Sequence, residues 1–442
     1  MATAKAQLPA KWRWFPEARF GMFIHFGPYA AYGRGEQVLF REYLDQREYA
    51  RAAAKWNPKK YDPQAWARVA RDAGMKYAVL TTRHHDGYCL WDSKLTDYTS
   101  AALAPKRDMV GEYVRAFREA GLRLGLYYSL ADWRVSAYWA GARRDPEGWS
   151  AFREYVHGQV RELLTNYGKI DLVWFDGAWP NPAADWQSAK LVKMMRRLQP
   201  DVLINNRLGD DDPTQAGNGL SKKLGDYGTP EHQIVAENRL WESCQTSTWR
   251  LWGYTNGERF RPADQLLDML VECAGQGGNL LLNVGPKADG TLPRPFVSRM
   301  EQIGRWMKLH GECIYGSQAG DVSEFITYGW QIRKGNNLYL VVRFWDGRET
   351  LHVAGLKTKP TSATLLTTGK KLTIRQEGEH LYLSPLPKQA PSELFPVIRL
   401  TFSRPPEPTQ RAKGRLWGCD PMIYHPWAKK AWSGFGKGAI ES

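Results

Sequence analysis

Over its first 315 residues the chain alternates short apolar runs with amphipathic stretches, and few architectures accept that rhythm. The apolar runs fall at residues 20–27, 77–82, 124–129, 171–176, 202–206 and 279–284. Between them, residues 62–75, 108–121, 149–167 and 184–198 carry apolar side chains at helical spacing, and 265–274 and 295–309 repeat the pattern. Asp62-Pro63, Gly74, Gly121, Gly168 and Pro200 fall at the boundaries, where helix starts and stops belong. Strand–helix repetition of this length predicts a parallel sheet, open or closed into a barrel.

After about Gly316 the texture changes. Residues 325–334, 337–344, 349–353, 362–366, 380–383 and 396–402 are short β-rich runs between turn residues, which predicts a small antiparallel β-sandwich. Residues 404–442 are rich in Pro, Gly, Lys and Trp and show no period. At 442 residues the chain exceeds one ordinary domain. The expected organisation is a (β/α) domain over 1–315, a sandwich over 316–403 and an extension of undefined role over 404–442.

Several function classes are disfavoured. No apolar run approaches the roughly 20 residues that span a bilayer, so no membrane span is expected. The N-terminus lacks the apolar centre of a signal peptide, which predicts either a cytoplasmic protein or the mature form of a periplasmic or secreted one. The five cysteines (Cys89, Cys244, Cys273, Cys313 and Cys419) are widely spaced and form no Cys-x-x-Cys pair, so buried thiols are expected rather than disulfides or zinc. A net charge of +15 favours anionic partners, yet no nucleic-acid-binding motif accompanies it, so no nucleic-acid partner is expected. An acidic polysaccharide is the more interesting anion, and a solvated basic surface the plainer explanation. The 20 Trp and 21 Tyr point weakly toward carbohydrate, because flat rings suit the apolar faces of sugars.

Polar groups gather where the apolar runs end. Asp171-Leu-Val-Trp-Phe-Asp-Gly delivers Asp176 at the close of a buried-looking strand, where two readings compete: a helix cap or a catalytic carboxylate. His25 lies late in one run, and His84, His85 and Asp86 directly follow another. The adjacent histidines diverge, which suits a polar pocket better than one metal, and no further ligands stand at metal spacing. Tyr128 and Trp133 mark a third strand end, and Arg207 a fourth, from which it can hold a nearby carboxylate ionised. Downstream lie Glu231, in Gly225-Asp-Tyr-Gly-Thr-Pro-Glu-His, and Glu242, in Trp241-Glu-Ser-Cys. Taken alone these are a solvated loop carboxylate and an ion-pair partner. A carboxyl pair on different elements is also the equipment for cleaving a glycosidic bond. The Gly-rich run 274–278 lacks the Lys-Ser/Thr of a phosphate loop and reads as a tight helix-to-strand turn.

These segments resemble the retaining α-L-fucosidases of glycoside hydrolase family 29. The resemblance rests on Ala18-Arg-Phe-Gly-Met-Phe-Ile-His-Phe-Gly, Lys76-Tyr-Ala-Val-Leu-Thr-Thr-Arg-His-His-Asp-Gly-Tyr, Gly125-Leu-Tyr-Tyr-Ser and Asp171-Leu-Val-Trp-Phe-Asp-Gly. It continues through Gly228-Thr-Pro-Glu, Trp241-Glu-Ser-Cys and Asn279-Leu-Leu-Leu-Asn-Val-Gly-Pro-Lys-Ala-Asp-Gly-Thr, in order over about residues 11–317. It implies an α/β fold, a (β/α)8-like TIM barrel of irregular build followed by a small antiparallel β-sandwich. The implied activity is exo-acting release of terminal α-L-fucose from glycans or fucan oligosaccharides by double displacement, with no metal and no cofactor. A transfucosidase and a non-catalytic, lectin-like fucose binder are the alternatives. The implied nucleophile is Asp176 and the implied acid/base Glu231, with Glu242 as runner-up. In that mechanism Glu231 needs a raised pKa. The implied sugar contacts are His25, Glu36, His84, His85, Tyr128, Trp174, Arg207 and Trp252. Gln37 stands where the family usually has Trp. The implied partner is a fucosylated oligosaccharide or a sulfated fucan.

Overall fold

The computed structural model describes residues 8–212, 218–319 and 324–408. Most of the C-terminal extension, 409–442 with Cys419, lies outside the described residues. The chain divides into two compact units between Gln318 and Ala319.

In the first unit, eight parallel strands curl into a barrel: β1 (Phe20–Ile24), β2 (Tyr77–Arg83), β3 (Arg123–Ser129), β4 (Leu172–Asp176), β5 (Leu203–Ile204), β6 (Tyr227–Gly228), β7 (Leu240–Thr246) and β8 (Asn279–Val284). The sheet order is β5-β4-β3-β2-β1-β8-β7-β6. The last seam closes through a parallel bridge between Asn205 and Tyr227, reinforced by Asp226 N–H donating to Ile204 O at 2.7 Å. Two of these strands, β6 and β7, escape detection in the sequence. β6 has only two residues, and β7 places Glu, Ser and Gln where an apolar run is sought.

Helices Pro63–Asp72, Met109–Glu119, Pro146–Thr165, Ser188–Leu198, Ala263–Gly275 and Arg294–His310 alternate with the strands. Several begin on an aspartate cap: Asp62 accepts from Ala65 N, Asp108 from Gly111 N and Asp145 from Gly148 N, at 2.8, 2.8 and 2.9 Å. Such a cap contributes about 1 kcal/mol by satisfying an otherwise unpaired donor. Among the described residues no helix separates β5 from β6 or β6 from β7, so this side of the barrel is irregular. Phe15, Phe23, Tyr77, Val79, Tyr127, Leu172, Trp174, Leu203, Tyr227, Cys244 and Leu281 fill the interior. No described helix is long and apolar enough to cross a membrane. Cys89, Cys244, Cys273 and Cys313 are buried and are not in disulfides.

The second unit is an antiparallel sheet of eight strands: β9 (Glu324–Ile326), β10 (Gly329–Lys334), β11 (Asn337–Val342), β12 (Leu351–Ala354), β13 (Ser362–Leu365), β14 (Lys370–Glu377), β15 (His380–Ser384) and β16 (Val397–Thr401). The start of β14 pairs with β13 and its later part with β15, so one strand turns the corner between two layers. Leu338, Leu340, Val353, Leu365, Leu381, Leu383, Ile398 and Leu400 fill the space between them. β14 was not foreseen, since charged and polar residues dominate it.

Candidate active site

Parallel barrels present side chains at the C-terminal ends of their strands, and here those ends surround a pocket of about 370 Å³. His25 follows β1, His84 and His85 follow β2, Asp176 ends β4, Arg207 follows β5 and Glu231 lies beyond β6. Trp174 and Trp252 supply aromatic walls. Gly177 lets the chain turn away directly after Asp176. Its φ is +71°, and a Cβ there would stand 2.8 Å from the Ala131 Cβ.

Asp176 is held by two donors, with a histidine nitrogen nearby. Tyr127 OH donates to Oδ2 at 3.0 Å, Arg207 Nη1 approaches Oδ1 at 3.3 Å, and His85 Nε2 stands 3.6 Å from Oδ2. Burial raises the Asp176 pKa above the ordinary carboxylate value, outweighing the opposing Arg207 charge. Glu231 goes the other way. Burial alone would raise it, but the Arg207 charge and the Nη2–Oε2 hydrogen bond of 2.9 Å bring it below its usual value. That overturns the expectation of a raised Glu231 in the free enzyme. Arg207 is fixed in turn by Thr229, through Oγ1 at 2.9 Å and O at 3.1 Å, and lies over the Trp174 ring, 4.6 Å from its centroid.

The histidines are neutral acceptors. Asn283 Nδ2 donates to Trp252 O at 2.7 Å, so its Oδ1 is the atom facing His25 Nδ1, also at 2.7 Å, and that nitrogen must carry the proton. Ser129 Oγ donates to Ala131 O at 2.9 Å and therefore accepts from His85 Nδ1 at 2.7 Å. Each ring thus keeps a lone pair on Nε2. Burial pushes both pKa values down to about 3, so neither histidine is charged at neutral pH.

Three expected site residues stand elsewhere. Tyr128 does not line the pocket: it faces outward from the barrel, accepting from Arg83 Nη1 at 2.6 Å and donating to Gln159 Oε1 at 2.8 Å. Its neighbour Tyr127 takes the inward place, because it pairs in register with Trp174 and strand side chains alternate. Glu36 is buried behind Trp252, where Oε2 accepts from Trp252 N at 2.9 Å and Gly253 N at 2.8 Å, so it shapes the loop rather than lining the pocket. Glu242 lies inside the barrel beneath the pocket, accepting from Tyr77 OH at 2.6 Å and Trp174 Nε1 at 2.9 Å. The sequence reading also missed Phe23, Trp179, Asn218, Leu220, Thr229 and Gln233 in the lining, as well as Gln37, noted only as a departure from the family pattern. Phe23 shares its strand face with His25 and was discoverable by alternation. The loop residues carry no periodic signal.

The model of the family described as alpha-L-fucosidase matches residues 2–312. The chain belongs to the α-L-fucosidase family, glycoside hydrolase family 29. Among curated relatives, the tissue α-L-fucosidase of Bos taurus is 31% identical, with 89% of this chain and 88% of that protein covered. The Homo sapiens tissue α-L-fucosidase is 30% identical, with 89% of each covered. Among solved structures, α-L-fucosidase isoenzyme 1 from Paenibacillus thiaminolyticus is 36% identical with a TM-score of 0.80, over 89% of this chain and 99% of that one. A family 29 α-L-fucosidase from Bacteroides thetaiotaomicron is 31% identical with a TM-score of 0.81, over 91% and 98%. Barrel, antiparallel unit and fucosidase family therefore agree, and the chain is a glycoside hydrolase.

Proposed function

We propose that the enzyme releases terminal α-L-fucose with retention of configuration, using Asp176 as nucleophile and Glu231 as acid/base. The observation that carries this reading is that one guanidinium, Arg207, contacts both carboxylates through different nitrogens. They come from separate segments and face one small pocket, the arrangement that double displacement needs. The similar Bacteroides thetaiotaomicron enzyme has been trapped as a covalent intermediate in complex with 2-fluoro-fucosyl fluoride.

In the first step an Asp176 oxygen bonds to the anomeric carbon as the glycosidic C–O bond breaks, and the Glu231 proton goes to the departing oxygen. In the second, water attacks the same carbon, Glu231 takes its proton, and the Asp176–carbon bond breaks. Tyr127 and Arg207 hold the attacking carboxylate, while the Nε2 atoms of His25 and His85 accept sugar hydroxyls. A free Glu231 is held below its ordinary pKa by Arg207, so the proton it needs must be gained as substrate enters. Covering its exposed side with the leaving group adds desolvation, which raises a carboxyl pKa.

The lining also bears on substrate class. It carries two carboxylates and one guanidinium, already engaged with both, so a sulfate on the fucose itself would meet net negative charge. Unsulfated terminal fucose is the preferred substrate, and the overall charge of +15 acts outside this pocket.

The test is Asp176→Ala on an aryl α-L-fucoside. Turnover should fall by about 10³ or more and azide should partly restore it, yielding β-fucosyl azide. A fully active variant, or an α-configured azide product, rejects the assignment.

A further inference from the structure

The second unit carries a groove of its own, enclosing about 340 Å³ and lined by Tyr328, Phe344, Trp345, Asp346, Arg348 and His352 among others. That volume lies within the range of small-ligand sites. We propose that this groove binds a neutral pyranose unit of a glycan, as a second saccharide site made from residues wholly different from those of the barrel pocket.

Its apolar part is aromatic and open. Phe344 is 56% exposed although the same unit has a well-filled core. The Arg343 guanidinium stands 5.4 Å from its ring centroid, and its backbone is fixed by Phe344 N–H donating to Tyr328 O at 3.1 Å. Trp345 spends its indole N–H on Pro387 O at 3.0 Å, so what it offers the groove is ring surface. Flat rings of this kind fit the C–H faces of sugars.

Its polar part suits hydroxyls rather than a charged ligand. Asp346 accepts from Arg348 N at 3.0 Å and pairs with Arg348 Nε at 2.7 Å, so the two charges compensate. The outer nitrogens of this guanidinium keep their donors, and its side chain is 81% exposed. Thr327 and Thr350 also line the groove, and among the described residues neither hydroxyl makes a hydrogen bond. Planar rings, a compensated charge pair and spare hydroxyls are what a neutral sugar ring requires.

The proposal takes from the fucosidase reading only the idea that the enzyme meets glycans, and its test does not use turnover. The full chain is run on native gels containing galactomannan or xyloglucan, neutral polymers that a charge of +15 cannot retain electrostatically. Saturating L-fucose is included to occupy the barrel pocket. The wild type should be retarded in at least one gel. The double variant Phe344→Ala/Arg348→Ala, which alters exposed groups, should lose that retardation while its aryl-fucoside kcat/KM stays within twofold. Unretarded migration of the wild type in both gels overturns the proposal, as does equal retardation of the variant. Neither outcome touches the assignment of Asp176, which is read from hydrolysis.

Discussion

Arg207 Nη2 donates to Glu231 Oε2 at 2.9 Å. The bond joins a residue just past β5 to one just past β6, on the side of the barrel where no helix was found among the described residues. The same guanidinium reaches Asp176 at 3.3 Å, so the two carboxylates titrate as a coupled system around one fixed positive charge. The pair is poised with the Asp176 pKa raised and the Glu231 pKa lowered. The Arg207 charge opposes protonation of both carboxyls, and the reactive arrangement needs Glu231 to gain a proton against it.

That coupling gives a signed prediction for Arg207→Gln. Removing a nearby positive charge raises both carboxyl pKa values, because each carboxylate loses its counter-charge. Both limbs of the kcat/KM–pH bell should move to higher pH, and its maximum should fall by about 10² or more. A bell that merely shrinks, with its limbs in place, would mean that Arg207 does not govern these ionisations.

Glu231 and Glu242 are separable by leaving-group dependence. Glu231→Ala should lose far more activity on natural fucosylated oligosaccharides than on activated aryl fucosides, which need little protonation. Glu242→Gln should affect both substrate types alike, since Glu242 touches Trp174 and Tyr77 beneath the pocket. The reverse pattern in steady-state kinetics would exchange the roles.

Glu242 also predicts a pH-dependent stability. Burial pushes its pKa up to about 7, against the hydrogen bonds from Tyr77 and Trp174. The folded state therefore holds a proton that the unfolded chain has released, and stability falls as pH rises from about 4.5 to about 7. This effect is on the order of 3 kcal/mol. Glu242→Gln cannot titrate, so thermal denaturation across pH 4.5–8 should show a flatter Tm profile for the variant. Parallel profiles would refute the assignment.

The two adjacent tyrosines should behave oppositely. Tyr127→Phe removes the donor to Asp176 Oδ2, so kcat should drop about tenfold or more with little change in Tm. Tyr128→Phe leaves Arg83 and Gln159 each short of a buried partner. It should destabilise by about 1–3 kcal/mol in denaturant titration while kcat/KM is retained.

Much of the barrel was legible because amphipathic helices and apolar strands have distinct periods and their Asp caps and Gly stops are local. Strands β6 and β7 were not, since β6 has two residues and is set by the Tyr227 bridge to Asn205, and β7 carries Glu242 inward to Tyr77 and Trp174, far along the chain. Tyr127 and Tyr128 pose the same difficulty in miniature. A Tyr-Tyr pair fits either face of a strand, and only its register with Trp174 and Phe175 selects the inward one.

By itself, the sequence determined that a carboxylate closes a buried strand at Asp176, that His84 and His85 follow another, and that the alternation of elements demands a parallel sheet. These are properties of neighbours in the chain. The tertiary structure alone decided that Glu231 faces the pocket while Glu242 lies under it, that Glu36 braces Trp252, and in which direction each carboxyl pKa moves. Those outcomes depend on groups brought together from distant segments: Arg207 for Asp176 and Glu231, Tyr77 and Trp174 for Glu242. Burial and Coulomb interactions act through space, and only the folded barrel sets those distances.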